Sequence, residues 1–308
     1  MYTVLITGGT GLVGTQLTTL LLQKGYKVII LTRKIAAAPS RHPQLEYALW
    51  NVEKQQIDTN AIAKADCIVH LAGAGVADKR WTKQRKQDIV NSRTQSSALL
   101  VQALQTTQHH VKAVISASAI GWYGADTNES KQHGFTEDAL ADTAFLGNTC
   151  AQWEASIAPV TQLGIRLVWL RTGIVLSPEG GALKEFLKPI KMGVAAILGN
   201  GNQVISWIGI HDLCNMFLFA IENTALHGAY NAVAPEPVNN RLLTLELAKK
   251  IRGHLFIRMS VPAWILNFIL GEMSIEVLKS ANVNCDKIKN AGFQFVTPSI
   301  QTYLTKTF

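Results

Sequence analysis

The chain has 308 residues, of which 48% are hydrophobic and 16% are charged, and its formal net charge is +8 at pH 7. This length fits one large domain or two, and the hydrophobic share allows a substantial core. No apolar stretch of the sequence is long enough to cross a membrane. The basic residues suit an anionic ligand or an ordinary basic surface, but they form no stripe interleaved with aromatic residues. We therefore expect no membrane partner and no nucleic-acid partner.

The cysteines and the first residues indicate the compartment. Cys67, Cys150, Cys214 and Cys285 are scattered and form no CxxC pair. This spacing favours free thiols in a reducing compartment over a disulfide framework or a zinc site. The first residues have no basic segment and lead into a glycine-rich turn, which is not typical of a signal peptide. We expect a cytoplasmic protein without a bound metal.

The N-terminal segment carries the clearest motif. A β-branched run at residues 2–7 meets a glycine-rich turn and passes directly into an amphipathic segment. This pattern predicts a strand, a tight turn and a helix N-terminus, the arrangement that binds a pyrophosphate. A glycine-rich turn without a ligand is the alternative interpretation. The residues predicted to bind the cofactor here are Gly8, Thr10, Gly11, Leu12, Val13 and Gly14.

Three of these glycines have separate expected roles. Gly8 permits the turn, and Gly11 lets the backbone approach the phosphates. Gly14 lets the helix lie close to the strand.

Strand-like and helical segments then alternate along the first half of the chain. Further strands are predicted at 28–32, 45–49, 67–71, 111–116 and 166–170, and helices at 12–24, 83–105 and 146–163. This alternation predicts an α/β fold with a Rossmann-like, doubly wound parallel sheet covered on both faces. Ligands of such a fold bind at the carboxyl ends of the strands.

The alternation of predicted strands and helices ends after residue 172, where glycine and proline become frequent. We predict a dinucleotide-binding domain over 1–172, with returning segments near 205–235. Residues 173–308 are predicted to form a smaller lid or substrate region, including a small C-terminal domain at about 256–304. The last residues are expected to add helices and a small strand.

The end of the second predicted strand indicates which dinucleotide binds. An acidic residue at this position accepts hydrogen bonds from the ribose 2′-hydroxyl and selects NAD. The sequence has Thr32 and Arg33 there, and the planar donors of Arg33 suit a 2′-phosphate. The sequence therefore favours NADP(H) over NAD(H), with a solvated arginine at a strand end as the alternative.

Two further groups are predicted to contact the cofactor. Leu71, Ala72 and Gly73 follow a predicted strand, where small residues leave room for a dinucleotide to cross the sheet edge. Simple tight packing is the alternative. Arg93 is expected to bind the cofactor or an anionic group of the substrate, with an ion pair on a helix as the alternative.

Several separated motifs together resemble the extended short-chain dehydrogenase/reductase superfamily. They cover residues 7–14, 70–73, 116–124 and 207–212. Further segments resemble the atypical "epimerase family" branch, described as NAD-dependent epimerase/dehydratase-like proteins. Those segments include residues 79–81, 92–93, 153–154, 171–176, 180–183, 206–208 and 270–273. The resemblance runs essentially from end to end, and implies a dinucleotide-binding domain, Ser116 in the cofactor site and a small C-terminal domain.

The resemblance also implies a Tyr and, four residues later on one helix, a Lys. One turn apart, the two share a helix face, and the Lys cation lowers the Tyr pKa so that the phenol exchanges a proton near neutral pH. Here residues 145–154 read Phe-Leu-Gly-Asn-Thr-Cys-Ala-Gln-Trp-Glu, which places Leu146 and Cys150 at those positions. Neither side chain can replace the acid–base pair.

Ser118 and Tyr123 are the remaining candidates for catalysis. The resemblance implies a Ser or Thr four residues before a Tyr-Gly pair, and Ser118 lies five residues before Tyr123. If this chain has one inserted residue there, Ser118 is expected to polarise a substrate carbonyl. Tyr123 either acts as a substitute acid or packs against the nicotinamide. A structural role is equally open for both side chains.

Other polar and aromatic residues have simpler interpretations. His70 ends a buried strand and is expected to be a packed core histidine. Asp212 is expected to cap a helix N-terminus, with the lid residue that the resemblance implies at this position as the alternative. Trp81, Trp153 and Trp207 are expected to be core aromatics, with pocket lining as the alternative.

The sequence thus predicts an NADP(H)-binding oxidoreductase or epimerase-like enzyme acting on a small carbonyl or hydroxyl substrate. The alternative is a catalytically inactive NADP(H)-binding sensor or interaction protein, because the glycine turn is intact while the acid–base pair is missing. A homodimer is open by analogy with the fold.

Overall fold

A computed structural model describes residues 1–35 and 42–308, and every predicted site residue lies within these ranges. In chain order the strands are β1 (Thr3–Thr7), β2 (Lys27–Thr32), β3 (Leu45–Asn51), β4 (Gln56–Ile57), β5 (Cys67–His70), β6 (Ala113–Ala119), β7 (Arg166–Thr172), β8 (Ile174–Ser177), β9 (Val194–Leu198), β10 (Val204–Ile205), β11 (Trp207–Gly209), β12 (Gly228–Ala232), β13 (Val238–Asn239) and β14 (Ile257–Val261). The helices are α1 (Leu12–Gln23), α2 (Thr59–Lys64), α3 (Lys83–Thr106), α4 (Asn128–His133), α5 (Phe145–Ile157), α6 (Gly181–Lys191), α7 (Ile210–Glu222), α8 (Asn240–Arg252), α9 (Ala263–Leu270), α10 (Ser274–Leu278), α11 (Asp286–Asn290) and α12 (Ile300–Thr307).

Eight of the strands form a single sheet in the order β12-β7-β6-β5-β1-β2-β3-β4. Every neighbouring pair is parallel except β3 and β4. The chain builds β1, β2 and β3 outward in one direction and then returns to β5, β6 and β7 on the other side of β1. Such a reversal leaves a crevice at the carboxyl ends of the central strands. The predicted doubly wound parallel sheet is confirmed.

Helices cover both faces of the sheet. Val4 and Ile6 of β1 are buried in one cluster with residues of α1 and α7. Leu5, which points to the opposite face, is buried in a second cluster with residues of α2 and α3. Because successive strand residues point to opposite faces, a run that is apolar at every position indicates burial on both sides.

Residues beyond position 172 form a third core cluster. Leu176, Trp207, Leu243 and Tyr303 belong to a third buried cluster built from β8, β11, α8 and α12. Three two-stranded sheets accompany it, pairing β8 with β11, β9 with β14, and β10 with β13. β12 returns to the edge of the main sheet beside β7. The division into domains at residue 172 stays a prediction.

Two predicted elements differ in the structure. The helix predicted over 146–163 is α-helical only to Ile157 and continues as a 3₁₀ helix over Ala158–Leu163. Pro159 lacks the N–H group that an α-helical hydrogen bond requires. The small strand expected near the C-terminus is wrong: β14 ends at Val261, and the described residues beyond it form only isolated bridges at Ala281 and Val283.

Two further properties concern membrane-spanning helices and the cysteines. Among the described residues, no helix combines the length and the hydropathy needed to cross a membrane. All four cysteines are buried free thiols.

Candidate cofactor and active site

The glycine-rich turn joins β1 to α1 at the crevice. Gly8 has a positive φ of +68°, and a Cβ there would lie 2.9 Å from the carbonyl carbon and oxygen of Leu71. A Cβ on Gly14 would lie 2.3 Å from the Gly8 oxygen. A Cβ on Gly11 would meet only that same oxygen, at 3.3 Å. Backbone packing therefore requires glycine at positions 8 and 14, whereas a Cβ on Gly11 would make one tight contact that a small shift could relieve.

The first turn of α1 is open to an anion. Gly11 is the N-cap residue, no side chain caps the helix, and the first turn contains no acidic residue. The N–H groups that begin a helix lack intrahelical acceptors, and the helix dipole favours negative charge there. Thr10 is exposed, while Leu12 and Val13 are half-buried. These residues fit the diphosphate of a dinucleotide, although direct contacts stay a prediction.

Thr7 and His70 fix the neighbouring strand end. The Thr7 hydroxyl accepts from the backbone N–H groups of Leu71 and Ala72, both at 3.1 Å. It therefore donates to Nδ1 of His70, 2.8 Å away, and Nε2 of His70 donates to Ser97 Oγ at 3.0 Å. His70 has no exposed surface, and burial lowers its pKa to about 3. It is a neutral core histidine that holds β1, β5 and α3 together.

The buried neutral state of His70 should make stability fall as the pH is lowered. An unfolded histidine takes up a proton below about pH 6.5, whereas folded His70 resists protonation down to about 3. The resulting slope is at most about 1.4 kcal/mol per pH unit within that window. We expect urea unfolding between pH 7 and pH 5 to show a shallower loss for His70→Gln than for the native chain. Equal slopes would show that His70 is protonated in the folded state.

Thr32 ends β2, and Arg33 follows it as an exposed residue. Arg33 lies on the wall of a surface cavity of about 320 Å³ that is also lined by Trp50, Asn51 and Asp58. Asp58 caps α2 by accepting from the N–H groups of residues 60 and 61. Arg33 thus lies at the end of β2 beside a cavity open to solvent, and its contact with a 2′-phosphate stays a prediction.

The segment that follows β5 is partly exposed to solvent. Leu71 and Ala72 are half-buried, and Gly73 is exposed. A Cβ on Gly73 would lie 3.2 Å from Cζ of Arg93. Ser116 is fully buried, and its hydroxyl donates to the backbone oxygen of residue 117 at 3.0 Å. The structure thus brings Gly73 and Arg93 together, and the contacts of all five residues with a cofactor stay a prediction.

The positions expected to hold Tyr and Lys face the loop that follows β6. A Cβ on Gly121 would lie 3.2 Å from Cβ of Leu146 and 3.5 Å from Sγ of Cys150. α5 contains neither tyrosine nor lysine. Cys150 donates to the carbonyl oxygen of Ala119, and burial raises its thiol pKa to about 12. This helix face supplies no group that exchanges a proton near neutral pH.

Ser118 lies on a buried ion pair. Its hydroxyl donates to Oε1 of Glu154 at 2.6 Å. Arg171 binds the same carboxylate in a bidentate manner, with Nε–Oε1 at 2.9 Å and Nη2–Oε2 at 3.0 Å. Both charged side chains are buried. To polarise a substrate carbonyl, Ser118 would have to leave Glu154, and its catalytic role stays a prediction.

Tyr123 is fully buried and has its hydrogen bonds satisfied within the protein. Its hydroxyl donates to Oδ1 of Asn231 at 2.7 Å and accepts from Nη1 of Arg171 at 3.1 Å. Its ring stacks on Phe135 with centroids 5.1 Å apart. Burial raises the Tyr123 pKa to about 12, although Arg171 opposes this effect. This environment favours the structural role, while the acid role predicted from the sequence stays untested.

The polar network around Arg171 was missed by reasoning from the sequence. Nη1 of Arg171 also donates to the backbone oxygen of Glu137, and its Cζ lies 3.7 Å from the ring centroid of Trp122. Asn231 on β12 donates to backbone oxygens at residues 135 and 284. Glu154 and Arg171 both occur in motifs of the family resemblance, but their pairing across 17 residues has no local signature.

Asp212 does not cap a helix, so that prediction is wrong. Gly209 is the N-cap residue of α7, and Asp212 lies three positions further along. Its carboxylate accepts from the backbone N–H groups of Val296 and Thr297, at 2.7 and 2.9 Å. It therefore ties α7 to the C-terminal segment. The residues expected as core aromatics, Trp81, Trp153 and Trp207, are all buried.

No metal site accompanies these residues in the described part of the chain. There, no group of three or more His, Cys, Asp or Glu side chains could hold a metal ion.

A separate cavity lies away from the predicted site. It has a volume of about 680 Å³ and is lined by Tyr2, Tyr26, Lys112 and Arg166. It lies at the amino ends of β1, β6 and β7, opposite the glycine turn, and none of the predicted site residues lines it.

Comparison with known proteins agrees with this geometry. Residues 4–233 match the NAD dependent epimerase/dehydratase family, and residues 261–307 match a domain of unknown function, DUF1731. The epimerase family protein SERP0438 of Staphylococcus epidermidis is 36% identical over 294 residues, which cover 94% of each chain. YfhF, an epimerase family protein of Bacillus subtilis, is 32% identical over 303 residues, covering 98% of this chain and 96% of YfhF.

A solved structure shows the same overall similarity. The human epimerase family protein SDR39U1 (isoform 2), crystallised with NADPH, superposes with a TM-score of 0.85 at 25% sequence identity. The superposition covers 99% of this chain and 98% of the human one. Together with its Rossmann-like sheet and glycine turn, these matches show that the chain belongs to the NAD dependent epimerase/dehydratase family.

Proposed function

We propose that this protein is an NADP(H)-dependent enzyme that moves a hydride between the nicotinamide and a carbonyl carbon of a small substrate. The observation that carries the proposal is the exposed Arg33 at the end of β2, at the edge where the uncapped start of α1 also lies. Arginine matches the geometry of phosphate oxygens. The presence of NADPH in the structure of the human relative supports the choice of cofactor.

Each part of the site has an expected task. Bound NADP(H) supplies the hydride chemistry. The N–H groups at the start of α1 hold the diphosphate, Arg33 holds the 2′-phosphate, and Gly73 leaves room beside β5. A water molecule supplies the proton to the substrate oxygen, and Ser118 polarises the carbonyl once its hydroxyl has left Glu154. Because α5 supplies no acid–base pair, binding and orientation account for most of the rate.

Parallel calorimetric titrations with NADPH, NADH, NADP⁺ and NAD⁺ test the cofactor assignment. We expect tight binding of the two 2′-phosphorylated forms and weak binding of the other two. Binding of none of the four would overturn the proposal. Equal binding of all four would retain a dinucleotide site but remove the assignment of Arg33.

Arg33→Ala should weaken NADPH binding by about 10- to 100-fold, since a charged hydrogen-bonding partner contributes about 1.5–3 kcal/mol. NADH, which has no 2′-phosphate, should lose less than about threefold. Calorimetry with both cofactors measures the difference. Lys34→Ala is the matched control, because Lys34 is the next exposed cation along the chain. An equal loss for NADPH and NADH in Arg33→Ala would contradict the 2′-phosphate assignment.

A second function is a cofactor-binding sensor without catalysis. The observation that favours it is the state of the acid–base candidates: the Cys150 thiol has a pKa of about 12, and Ser118 and Tyr123 are both hydrogen-bonded within the protein. A sensor would bind NADPH and oxidise none of it in the presence of carbonyl compounds, as followed by absorbance of the reduced nicotinamide. Turnover with any carbonyl substrate excludes this function.

We further propose that the protein acts in the cytoplasm on a small molecule, as a homodimer and without a nucleic-acid or membrane partner. Sedimentation measures the oligomeric state. A DNA affinity that falls steeply with salt would contradict the absence of a nucleic-acid partner.

A further inference from the structure

We propose that Arg93 binds a carboxylate or phosphate group of the substrate, so that this protein acts on anionic carbonyl compounds. The inference rests on the proposed function and specifies its substrate class. It is carried by the position of Arg93, by the absence of a counter-charge among the described residues, and by the separate donors that serve the phosphates of the cofactor.

Arg93 lies at the carboxyl end of the sheet, next to the predicted reaction site. It belongs to α3, and its guanidinium packs against Gly73, which follows β5. On the other side it lies over the ring of Trp153 on α5, with Cζ 4.9 Å from the ring centroid. Arg93 also lies close enough to Cys150 for its charge to lower the thiol pKa, although burial has the larger, opposite effect. The cation therefore lies between the segment that follows β5 and α5, near Cys150.

No carboxylate balances this charge within residues 1–35 and 42–308. Arg171 is paired with Glu154, and Arg85 with Asp78. Arg93 instead donates through Nη1 to the backbone oxygens of Ala74 and Ile89, both at 3.0 Å. Burial lowers the pKa of the Arg93 guanidinium, and the positive charge of Arg85 lowers it further. The Cys150 thiol, which would oppose this, is neutral near pH 7 because burial raises its own pKa to about 12. Arg93 is half-buried, so its charge is only partly solvated, and an anionic ligand would supply the counter-charge that the described residues do not.

The cofactor does not need Arg93 for its own anionic groups. The diphosphate is assigned to the start of α1, and the 2′-phosphate to Arg33 beyond β2. Arg93 lies on the other side of β1, between α3 and α5. Nε and Nη2 of Arg93 have no acceptor among the described residues, and two adjacent N–H groups bind carboxylate or phosphate oxygens in a bidentate manner.

Anion titrations of the NADP⁺-loaded protein test the inference. Oxamate serves as the carboxylate probe, inorganic phosphate as the phosphate probe and acetamide as the neutral comparison, and calorimetry measures each. Loading with NADP⁺ keeps phosphate out of the cofactor site. We expect one of the two anions to bind in the millimolar range, at least about tenfold more tightly than acetamide. Arg93→Gln should weaken that anion by at least about tenfold, and Arg93→Lys should weaken it less.

Two controls keep the result interpretable. Lys83→Gln removes an exposed charge from the first position of the same helix, away from Arg93, and should change anion binding by less than about twofold. Arg93→Lys keeps the positive charge and serves as the test variant if Arg93→Gln does not fold. Its NADP⁺ affinity and its thermal midpoint should be similar to those of the native chain. The inference is overturned if neither anion binds the native protein, if the Arg93 variants bind it unchanged, or if they lose NADP⁺ affinity instead. Failure of the native protein to bind NADP⁺ is a different result, and it overturns the proposed function itself.

Discussion

Gly11→Val should abolish dinucleotide binding while the chain still folds. Gly11 has an ordinary φ of −80°, and a Cβ there would meet only the Gly8 oxygen, at 3.3 Å. The Gly8 oxygen must shift by a few tenths of an ångström to accept this Cβ, a smaller clash than a Cβ on Gly8 or Gly14 would make. The isopropyl group would stand at the first turn of α1, where the N–H groups are expected to contact the diphosphate. We expect at least about a 100-fold loss of NADPH affinity by calorimetry, with a thermal midpoint within a few degrees of the native value.

Two companion variants separate binding from folding. Gly14→Ala should lower the thermal midpoint, because its Cβ would lie 2.3 Å from the Gly8 oxygen and 2.6 Å from Cα of Gly9. Gly11→Ala should show an intermediate loss of affinity with a native midpoint. Native NADPH affinity in Gly11→Val would mean that the loop is only a turn.

Arg171→Met should lower the free energy of unfolding by about 3–5 kcal/mol. The change leaves the buried carboxylate of Glu154 with the Ser118 hydroxyl as its remaining hydrogen-bond donor, and a buried charge without its partner is strongly destabilising. It also removes the hydrogen bond to Tyr123. Urea unfolding followed by circular dichroism measures the loss.

The double variant Glu154→Gln/Arg171→Met should recover part of that stability, because no unpaired charge remains buried. Lys188→Met is the matched control: Lys188 forms an exposed ion pair with Glu185, and its loss should cost less than about 0.5 kcal/mol. If Arg171→Met is as stable as Lys188→Met, the buried ion pair contributes nothing beyond an exposed one.

Local sequence patterns determined the sheet and the glycine turn. Local sequence determines the conformations of β1, of the turn at Gly8 and of the helix start at Leu12, because each depends on residues that are neighbours in the chain. The alternation of such units was enough to predict a doubly wound parallel sheet. The family could likewise be identified from separated motifs, because each motif is short and contiguous.

Only the tertiary structure decided which polar groups meet. Glu154, Arg171 and Asn231 come from α5, β7 and β12, and no spacing in the sequence brings them together around Ser118 and Tyr123. Asp212 was misjudged for the same reason, because its partners lie more than 80 residues away at Val296 and Thr297. Most elements and the glycine turn could be predicted from the sequence alone, since these follow from local backbone preferences. The charge balance of the site depends on which side chains burial brings into contact across the sheet, as at Arg93, which has no carboxylate partner among the described residues.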